Sequence, residues 1–174
     1  MMWKDLPTPC YVVDEGKIRK NLEILADLEQ ECGCHILLAQ KAFSMYSLYP
    51  MIGQYISGTT ASGLYEARLG YEEMGKENHT FSPAFQEEDF SEILKYSDHI
   101  IFNSLSQLDR FEEDAKKAGK SYGIRINPEF STQKGPAIYD PCSKSSRLGI
   151  PISQITEEVL KRVDGIHFHT LSEQ

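Results

Sequence analysis

Short apolar segments alternate with helical segments along most of this 174-residue chain, and this alternation constrains its fold more than any other feature. Each strand candidate is followed by a stretch in which apolar residues recur at the spacing of a buried helix face. Six strands are predicted after Gly33, at 35–41, 58–61, 79–82, 98–103, 121–127 and 165–170. Strands separated by crossover helices form a parallel sheet, so an α/β fold is expected.

Two α/β folds are compatible with this order, an open doubly wound sheet and a (β/α)8 barrel. The turns that follow the strands lack the glycine pattern of a dinucleotide site and the Walker pattern of a P-loop. A complete barrel takes about 250 residues and eight strands. We therefore expect the N-terminal six-strand portion of a TIM-type barrel, without the C-terminal strands.

Residues at the element boundaries support this assignment. Asp14 is a good N-cap for a helix that runs to about residue 31, and Gly33 is expected to end it. Ser62 is expected to cap the third helix, and Ser104 with Gln107 forms the pattern of a capping box. Further predictions are a strand at 10–13, helices at 45–56, 87–96 and 157–162, and a long irregular stretch at 128–149.

The formal charge of −8 argues against a nucleic-acid-binding surface and against a protein held on anionic lipid. No long apolar run and no secretory signal are found, so we expect a cytoplasmic protein with reduced thiols. Cys32 and Cys34, beside His35, lack the usual spacing of zinc ligands. A helix-to-strand turn at Gly33 explains this segment more simply.

Lys41 ends the first predicted strand after the long helix. Strand alternation places it on one face with Leu37 and Ala39. In a parallel sheet it leaves the carboxyl end, where α/β folds bind their ligands. Apolar residues beneath the amine would leave it poorly solvated, and such an amine is a Schiff-base nucleophile. The alternative is a solvated lysine just past a strand.

Other polar residues are expected at the same mouth of the sheet. These are residues 59–62, Ser82, Asn103, Arg125, His167 and His169. Arg125 lies in an apolar strand, so it should have a partner, either a carboxylate or a bound anion. His167 and His169 share a face, but the remaining histidines, at 35, 79 and 99, start their strands at the opposite end. No metal site is therefore predicted, and a structural pair, with one histidine packed and the other hydrogen-bonded to the backbone, stays an alternative.

Six blocks of the chain resemble carboxynorspermidine (carboxyspermidine) decarboxylases, a family of alanine-racemase-like, fold-type III enzymes that use pyridoxal phosphate (PLP). The blocks are LAQKAFS (38–44), GTTASGLYEA (58–67), IFNSLSQ (101–107), RINPE (125–129), SRLG (146–149) and HFHTL (167–171). They occur in order over essentially the whole chain. The Thr-Thr-Ala-Ser and His-Phe-His-Thr-Leu blocks distinguish this family from diaminopimelate and ornithine decarboxylases.

Carried over by position, the resemblance implies that Lys41 is the catalytic residue and forms a Schiff base with PLP. It implies that His169 stacks on the cofactor ring and that Arg125 joins the hydrogen-bond network beside it. Ser172 falls where relatives contact the phosphate or its surroundings, although cysteine is more usual there. Gln40 also departs from the usual apolar residue, but it faces away from the site.

The resemblance further implies an activity, in which carboxynorspermidine or carboxyspermidine loses CO2 and becomes norspermidine or spermidine during polyamine biosynthesis. PLP would act as the electron sink, and the ligand would be a small polyamine carboxylate. The full-length enzyme would be a homodimer. The acidic net charge suits a polycationic substrate as background attraction.

The same resemblance implies that several parts of the enzyme are absent. These are the last barrel strands, a glycine-rich phosphate loop, an acidic residue for the pyridine nitrogen and a β-domain. Residues 1–13 are then expected to pair with the missing β-domain, and 14–174 to form an incomplete PLP-binding barrel domain. We expect the chain alone to be inactive. Two alternatives remain: a fragment that acts through association only, and a PLP-binding protein of this fold without decarboxylase activity.

Overall fold

Strands and helices alternate through residues 3–170, the part of the chain that the computed structural model describes. The strands are β1 (Leu37–Ala39), β2 (Gly58–Ala61), β3 (Glu77–Ser82), β4 (His99–Phe102), β5 (Ser121–Asn127), β6 (Ile150–Pro151) and β7 (Gly165–His167). The α-helices are α1 (Glu15–Cys32), α2 (Tyr49–Ile52), α3 (Leu64–Glu73), α4 (Glu87–Tyr96), α5 (Leu105–Lys117) and α6 (Glu157–Leu160). Single 3-10 turns lie at Trp3–Asp5, Tyr46–Leu48, Ala137–Tyr139 and Ile152–Gln154.

The sheet is parallel at every described pairing, and β1 to β5 lie side by side in sequence order. β5 then has two partners, because β7 pairs with residues 123–125 and β6 pairs with Ile126 and Asn127. A doubly wound sheet reverses its strand order at a switch point, whereas a barrel wall does not. The predicted TIM-type barrel portion is confirmed. The two-residue β6 was not predicted because it is too short to show alternation.

The apolar core lies between the outer face of this sheet and the helices. One cluster packs α4 and α5 against β4 and β5, and its largest members are Phe85, Phe90, Ile100, Phe102, Leu108, Phe111 and Ile124. A second cluster lies around α1 and α2 and includes Leu22, Tyr49, Ile52 and Ile56. Each fully buried side chain of this kind contributes about 1.5–3 kcal/mol. The helices therefore cover one face of the sheet, and the other face lines the barrel interior.

Helix α3 makes a close approach to this sheet at Gly70. A Cβ atom at Gly70 would lie 2.3 Å from Thr59 Oγ1 and 3.0 Å from Gln40 Nε2. Thr59 is itself fixed, since its hydroxyl donates to Asn78 Oδ1 at 3.1 Å. Only glycine fits between the helix axis and these buried polar groups.

The predicted N-caps are confirmed in two cases out of three, and the predicted C-cap is confirmed as well. Asp14 accepts a hydrogen bond from Lys17 N, and Gly33 ends α1 with a φ of 62°. Ser104 caps α5 by accepting from Gln107 N, but the Gln107 side chain accepts from Asn103 N and so does not complete the predicted capping box. The predicted Ser62 cap is wrong, because Gly63 occupies the N-cap position of α3 and Ser62 N instead donates to Glu66 Oε2 at 2.7 Å.

Some predicted bounds also differ from the structure. Residues 45–56 form a 3-10 turn followed by α2, with Pro50 in the first helical turn, where its missing N–H costs nothing. The helix predicted at 157–162 ends at Leu160, and the last strand ends at His167. Residues 10–13 are irregular and Tyr11 is fully exposed. A strand there needs a partner, so its pairing with a further domain stays a prediction.

None of the described helices combines the length and apolar character that a membrane span requires.

Candidate active site

The inner face of the sheet lines a cavity of about 720 Å³, and its lining follows the two-residue period of the strands. The residues that face inward alternate along and just after each strand. They are Leu37, Ala39 and Lys41 at β1; His79 and Phe81 at β3; His99 and Ile101 at β4; Gly123 and Arg125 at β5; and His167 and His169 at β7. Lys41 stands at the carboxyl end of its row. The predicted face for Lys41 is therefore confirmed.

The irregular segment 128–149 encloses a second cavity, of about 520 Å³, over the carboxyl ends of the strands. Lys41, Arg125 and His169 line both cavities. Polar residues of the segment face them: Tyr139, Asp140, Ser143, Ser145, Ser146 and Arg147. The structure thus brings together three of the four predicted site residues. Ser172, the fourth, lies outside the described residues.

Lys41 follows β1 in a tight turn, in which Ala42 N and Phe43 N both donate to Ala39 O, at 2.9 and 3.2 Å. Its side chain is exposed. The predicted poor solvation of the amine is wrong for the described chain, although Leu37 and Ala39 do lie beneath it. The physical reason is that β1 pairs on one side only, with β2, so the wall beside Lys41 is open to water.

Gln40 holds the backbone next to Lys41 from the opposite face. It is 1% exposed, and its Nε2 donates to Thr60 O at 3.2 Å and to Glu66 O at 2.9 Å. Tyr49 OH donates to Gln40 Oε1 at 3.3 Å. The prediction that Gln40 faces away from the site is confirmed. Its buried amide ties β1 to β2 and α3, so it is a positioning residue that sequence reasoning missed.

Arg125 is buried on β5 with an aromatic ring as its neighbour. The residue is 6% exposed, and its guanidinium carbon lies 4.9 Å from the centroid of the Phe81 ring. Burial lowers the pKa of Arg125 from its usual value. No carboxylate among residues 3–170 lies within ion-pair distance of it. Of the two predicted partners, the carboxylate is therefore excluded for the described chain, and Phe81 was not foreseen.

His167 packs against the same aromatic ring. The rings of His167 and Phe81 are stacked, with centroids 5.6 Å apart and planes 23° from parallel. Burial, with the charge of Arg125 close by, lowers the pKa of His167 to about 4. The imidazole is therefore neutral at neutral pH. This is the packed histidine of the structural alternative, placed inside the candidate site.

His169 is exposed at the mouth and is fixed through its backbone. The buried Cys142 thiol donates to His169 O at 3.4 Å. Burial, together with the neighbouring Asp140, raises the pKa of Cys142, which keeps the thiol protonated and able to donate. The contact ties the segment 128–149 to the chain that follows β7, and it leaves the His169 ring lining both cavities.

Two asparagines at strand ends fasten the segment 128–149 to the sheet. Asn103 Nδ2 donates to Arg147 O at 3.0 Å, and its Oδ1 accepts from Gly149 N at 2.7 Å. Asn127 Nδ2 donates to Ser143 O at 3.1 Å. Asn103 was predicted at the mouth and acts there as an anchor rather than as part of the cavity wall. Asparagine at the carboxyl end of a predicted strand was the available signal for Asn127.

The remaining polar residues predicted at the mouth divide by strand alternation. Thr60 and Ser62 line the cavity inside the sheet, whereas Thr59 points outward into the contact with α3. Ser82 turns away and donates to Ala84 O at 3.1 Å. In the segment 145–149, Leu148 N donates to Ser146 Oγ at 3.2 Å and forms a polar turn.

The resemblance predicted from the sequence is confirmed by comparison with known proteins. The chain is 41% identical over 174 residues to a carboxynorspermidine/carboxyspermidine decarboxylase of Campylobacter jejuni, and 36% identical over 168 residues to a carboxyaminopropylagmatine decarboxylase of Synechocystis. The alignments cover 100% and 97% of this chain but only 45% and 43% of those relatives. The chain therefore spans under half the length of the curated relatives it matches. No protein-family model matches it.

Solved structures support the fold in the same way. A crystal structure of carboxynorspermidine decarboxylase complexed with norspermidine, from Campylobacter jejuni, superposes with a TM-score of 0.86 at 40% identity. The superposition covers 97% of this chain and 42% of the Campylobacter jejuni chain. A diaminopimelate decarboxylase from Helicobacter pylori, at 21% identity and a TM-score of 0.79, shows the fold alone.

Proposed function

We propose that this chain supplies the lysine-bearing N-terminal part of a PLP-dependent decarboxylase acting on carboxynorspermidine or carboxyspermidine. The observation that carries the proposal is the meeting of Lys41, Arg125 and His169 at one mouth, in a chain similar to such decarboxylases along its whole length. The products would be CO2 and norspermidine or spermidine. We further propose that the complete site takes residues that this chain does not contain, in a cytoplasmic homodimer.

Lys41 is the proposed attachment point for the cofactor. PLP, when bound, supplies an electron sink for the pair that remains when a carboxylate departs as CO2. The Lys41 amine opens into both cavities, so an aldehyde there can reach Nζ from the mouth. The tight turn after β1 and the buried Gln40 amide fix the backbone on either side of it. Such fixed geometry is what covalent catalysis by a lysine requires.

Arg125 and His169 are the proposed cofactor contacts, and their surroundings fit a bound group. A buried guanidinium without a carboxylate is costly, and an acceptor atom of a ligand would offset that cost. The exposed His169 ring lines the cavity next to it and offers a flat surface for stacking. Ser172 stays a proposed phosphate contact on the strength of the resemblance alone.

Borohydride trapping tests the attachment directly. The purified chain is incubated with PLP, reduced with borohydride, digested, and the labelled peptide identified by mass spectrometry. We expect the label on Lys41 and its loss in Lys41→Arg. Lys117→Arg is the matched control, because Lys117 is an exposed lysine on α5 far from both cavities. Equal labelling of many surface lysines, unchanged in Lys41→Arg, would contradict the cofactor role.

Activity is tested after adding the remaining half of the enzyme as a separate polypeptide. We expect release of CO2 from carboxynorspermidine or carboxyspermidine by the pair and none from either half alone. Carboxyaminopropylagmatine is the informative third substrate, since one relative bears that name. A folded, PLP-labelled pair that releases no CO2 from any of the three would support the alternative of a PLP-binding protein without decarboxylase activity. Labelling of neither half would support the inactive fragment.

A further inference from the structure

Three side chains that could bind a metal meet at the end of the sheet opposite Lys41. Glu77 and His79 lie two residues apart on β3, so they share its inner face. His79 pairs in register with His99 on β4, and their ring centroids are 4.2 Å apart. One ligand atom from each of the three lies within 4.8 Å of the others. The cluster is built by strand register, so its members converge without any loop.

The separations between the ligand atoms approach those of a metal site. His99 Nε2 lies 3.3 Å from Glu77 Oε1, and His79 Nε2 lies 2.5 Å from the same oxygen. Ligands at about 2.0–2.1 Å from a tetrahedral Zn²⁺ are themselves about 3.3 Å apart. One pair already has this spacing. The other pair must open by less than about 1 Å to reach the same spacing.

His35, which lies two residues before β1, supports the arrangement. Its Nδ1 lies 2.6 Å from Glu77 Oε2, so the carboxylate oxygen that faces away from the two other histidines is already bonded. Metal-binding carboxylates are commonly fixed by such a hydrogen bond. The four side chains therefore hold one another through these contacts, and one ligand atom each from Glu77, His79 and His99 lies close to the other two.

We propose that Glu77, His79 and His99 bind a divalent transition-metal ion of the Zn²⁺ class at the amino ends of the strands. The ligands are His79 Nε2, His99 Nε2 and Glu77 Oε1, and water completes the coordination. Two imidazoles and one carboxylate favour such ions over Mg²⁺ and Ca²⁺, which take oxygen ligands. The site is structural, because it joins β3 to β4 at the end of the barrel remote from Lys41. This inference departs from the sequence-based prediction of no metal.

Titration with Co²⁺, which reports coordination in its visible spectrum, tests the site without any cofactor. The background is Cys32→Ser/Cys34→Ser, since these exposed thiols beside His35 form a competing set of ligands. We expect one Co²⁺ per chain, a spectrum without sulfur charge-transfer bands, and displacement by Zn²⁺. His79→Gln and His99→Gln each raise the Kd at least about tenfold, and His35→Gln raises it by a similar or smaller factor. His167→Gln, a matched control inside the same cavity, leaves the Kd unchanged.

Two results would overturn the proposal. The first is the absence of stoichiometric Co²⁺ binding to the cysteine-substituted chain. This measurement does not depend on whether the histidine variants fold. The second is binding of equal affinity in His79→Gln, His99→Gln and His167→Gln, with far-ultraviolet circular dichroism unchanged. Either result would identify Glu77 and its histidines as a hydrogen-bonded polar cluster. A thermal shift with Zn²⁺ that disappears in His79→Gln is the expected stability signature.

Discussion

At the scale of single residues, Arg125 has an energetically unfavourable environment. Its guanidinium is buried over the Phe81 ring, and no carboxylate among residues 3–170 neutralises it. The ring offers about 1–2 kcal/mol of cation–π attraction, which is less than the cost of taking a charge out of water. The buried charge therefore costs folding free energy, and we expect Arg125 to serve ligand binding rather than stability.

Arg125→Met is therefore expected to separate stability from ligand binding. Removing the buried charge should leave the free energy of unfolding unchanged or raise it by about 1 kcal/mol. The same change should sharply reduce PLP labelling at Lys41. Arg110→Met is the matched control, since Arg110 lies over the Phe111 ring at 5.4 Å but is exposed at the surface. Chemical denaturation and borohydride trapping measure the two effects, and a destabilised Arg125→Met chain would refute the argument.

His167 gives a second prediction, for the dependence of stability on pH. Its pKa is about 4 in the folded chain and about 6.5 when unfolded, so the unfolded chain binds more protons between these values. The free energy of unfolding should therefore fall as the pH is lowered from about 6.5 to about 4. Arg125, His169, His79 and Lys41 all oppose the charged form. Partial exposure limits the effect to about 2 kcal/mol.

His167→Phe should remove this part of the pH dependence and keep the stacking on Phe81. Above about pH 6.5 the two proteins should differ by a constant amount, because neither carries a charge at this position. Denaturation curves collected from pH 4 to pH 8 provide the measurement. Parallel profiles over the whole range would show that His167 does not titrate as inferred.

At the scale of elements, the contact between α3 and β2 fixes the chain that carries Lys41. Gln40 donates to Glu66 O on α3 and to Thr60 O on β2, so a shift of the helix would move the turn after β1. Gly70 permits this contact, because any side chain there would meet Thr59. These contacts therefore hold α3, β2 and the backbone next to Lys41 together.

Gly70→Ala is expected to destabilise the chain by about 1–3 kcal/mol through overpacking against Thr59 and Gln40. Helix propensity alone predicts the opposite sign, a gain of up to about 1 kcal/mol. Gly16→Ala, in the exposed first turn of α1, is the control in which propensity should prevail, since a Cβ there would meet only the exposed Asp14 side chain, with Oδ1 at 3.3 Å. Thermal denaturation distinguishes the two substitutions. A stabilised Gly70→Ala chain would mean that α3 does not approach the sheet as closely as described.

At the scale of the whole molecule, the described sheet has two open edges. β1 pairs only with β2, and β7 pairs only with β5. Apolar side chains of and just after β7 are exposed, namely Ile166 at 55% and Phe168 at 62%. Unpaired backbone beside exposed apolar residues is a template for association with another chain.

We expect the isolated chain to self-associate in a concentration-dependent manner. Ile166→Lys should weaken this association, since a charge on an edge strand opposes pairing. Tyr65→Lys is the control, because Tyr65 is also exposed but lies on helix α3. Sedimentation velocity provides the measurement. A chain that stays monomeric at high concentration, or equal effects of the two substitutions, would contradict association through this edge.

The sequence by itself determined the strand–helix order, two of the helix N-caps with the C-cap at Gly33, and the face on which Lys41 lies. These features depend on residues within a few positions of one another, so periodicity and cap chemistry are sufficient to predict them. Gly58–Ala61, Glu87–Tyr96 and Ser121–Asn127 match their predicted bounds for this reason.

Only the tertiary structure decided the solvation of Lys41, the aromatic partner of Arg125 and the meeting of Glu77 with His79 and His99. Each depends on which strands are neighbours and in what register, and register joins residues far apart in the sequence. The sequence predicted these histidines at the far end of their strands, but it could not show that one carboxylate contacts all of them. Lys41 was predicted to be poorly solvated because apolar residues lie beneath its amine, whereas the described sheet is open to water beside β1.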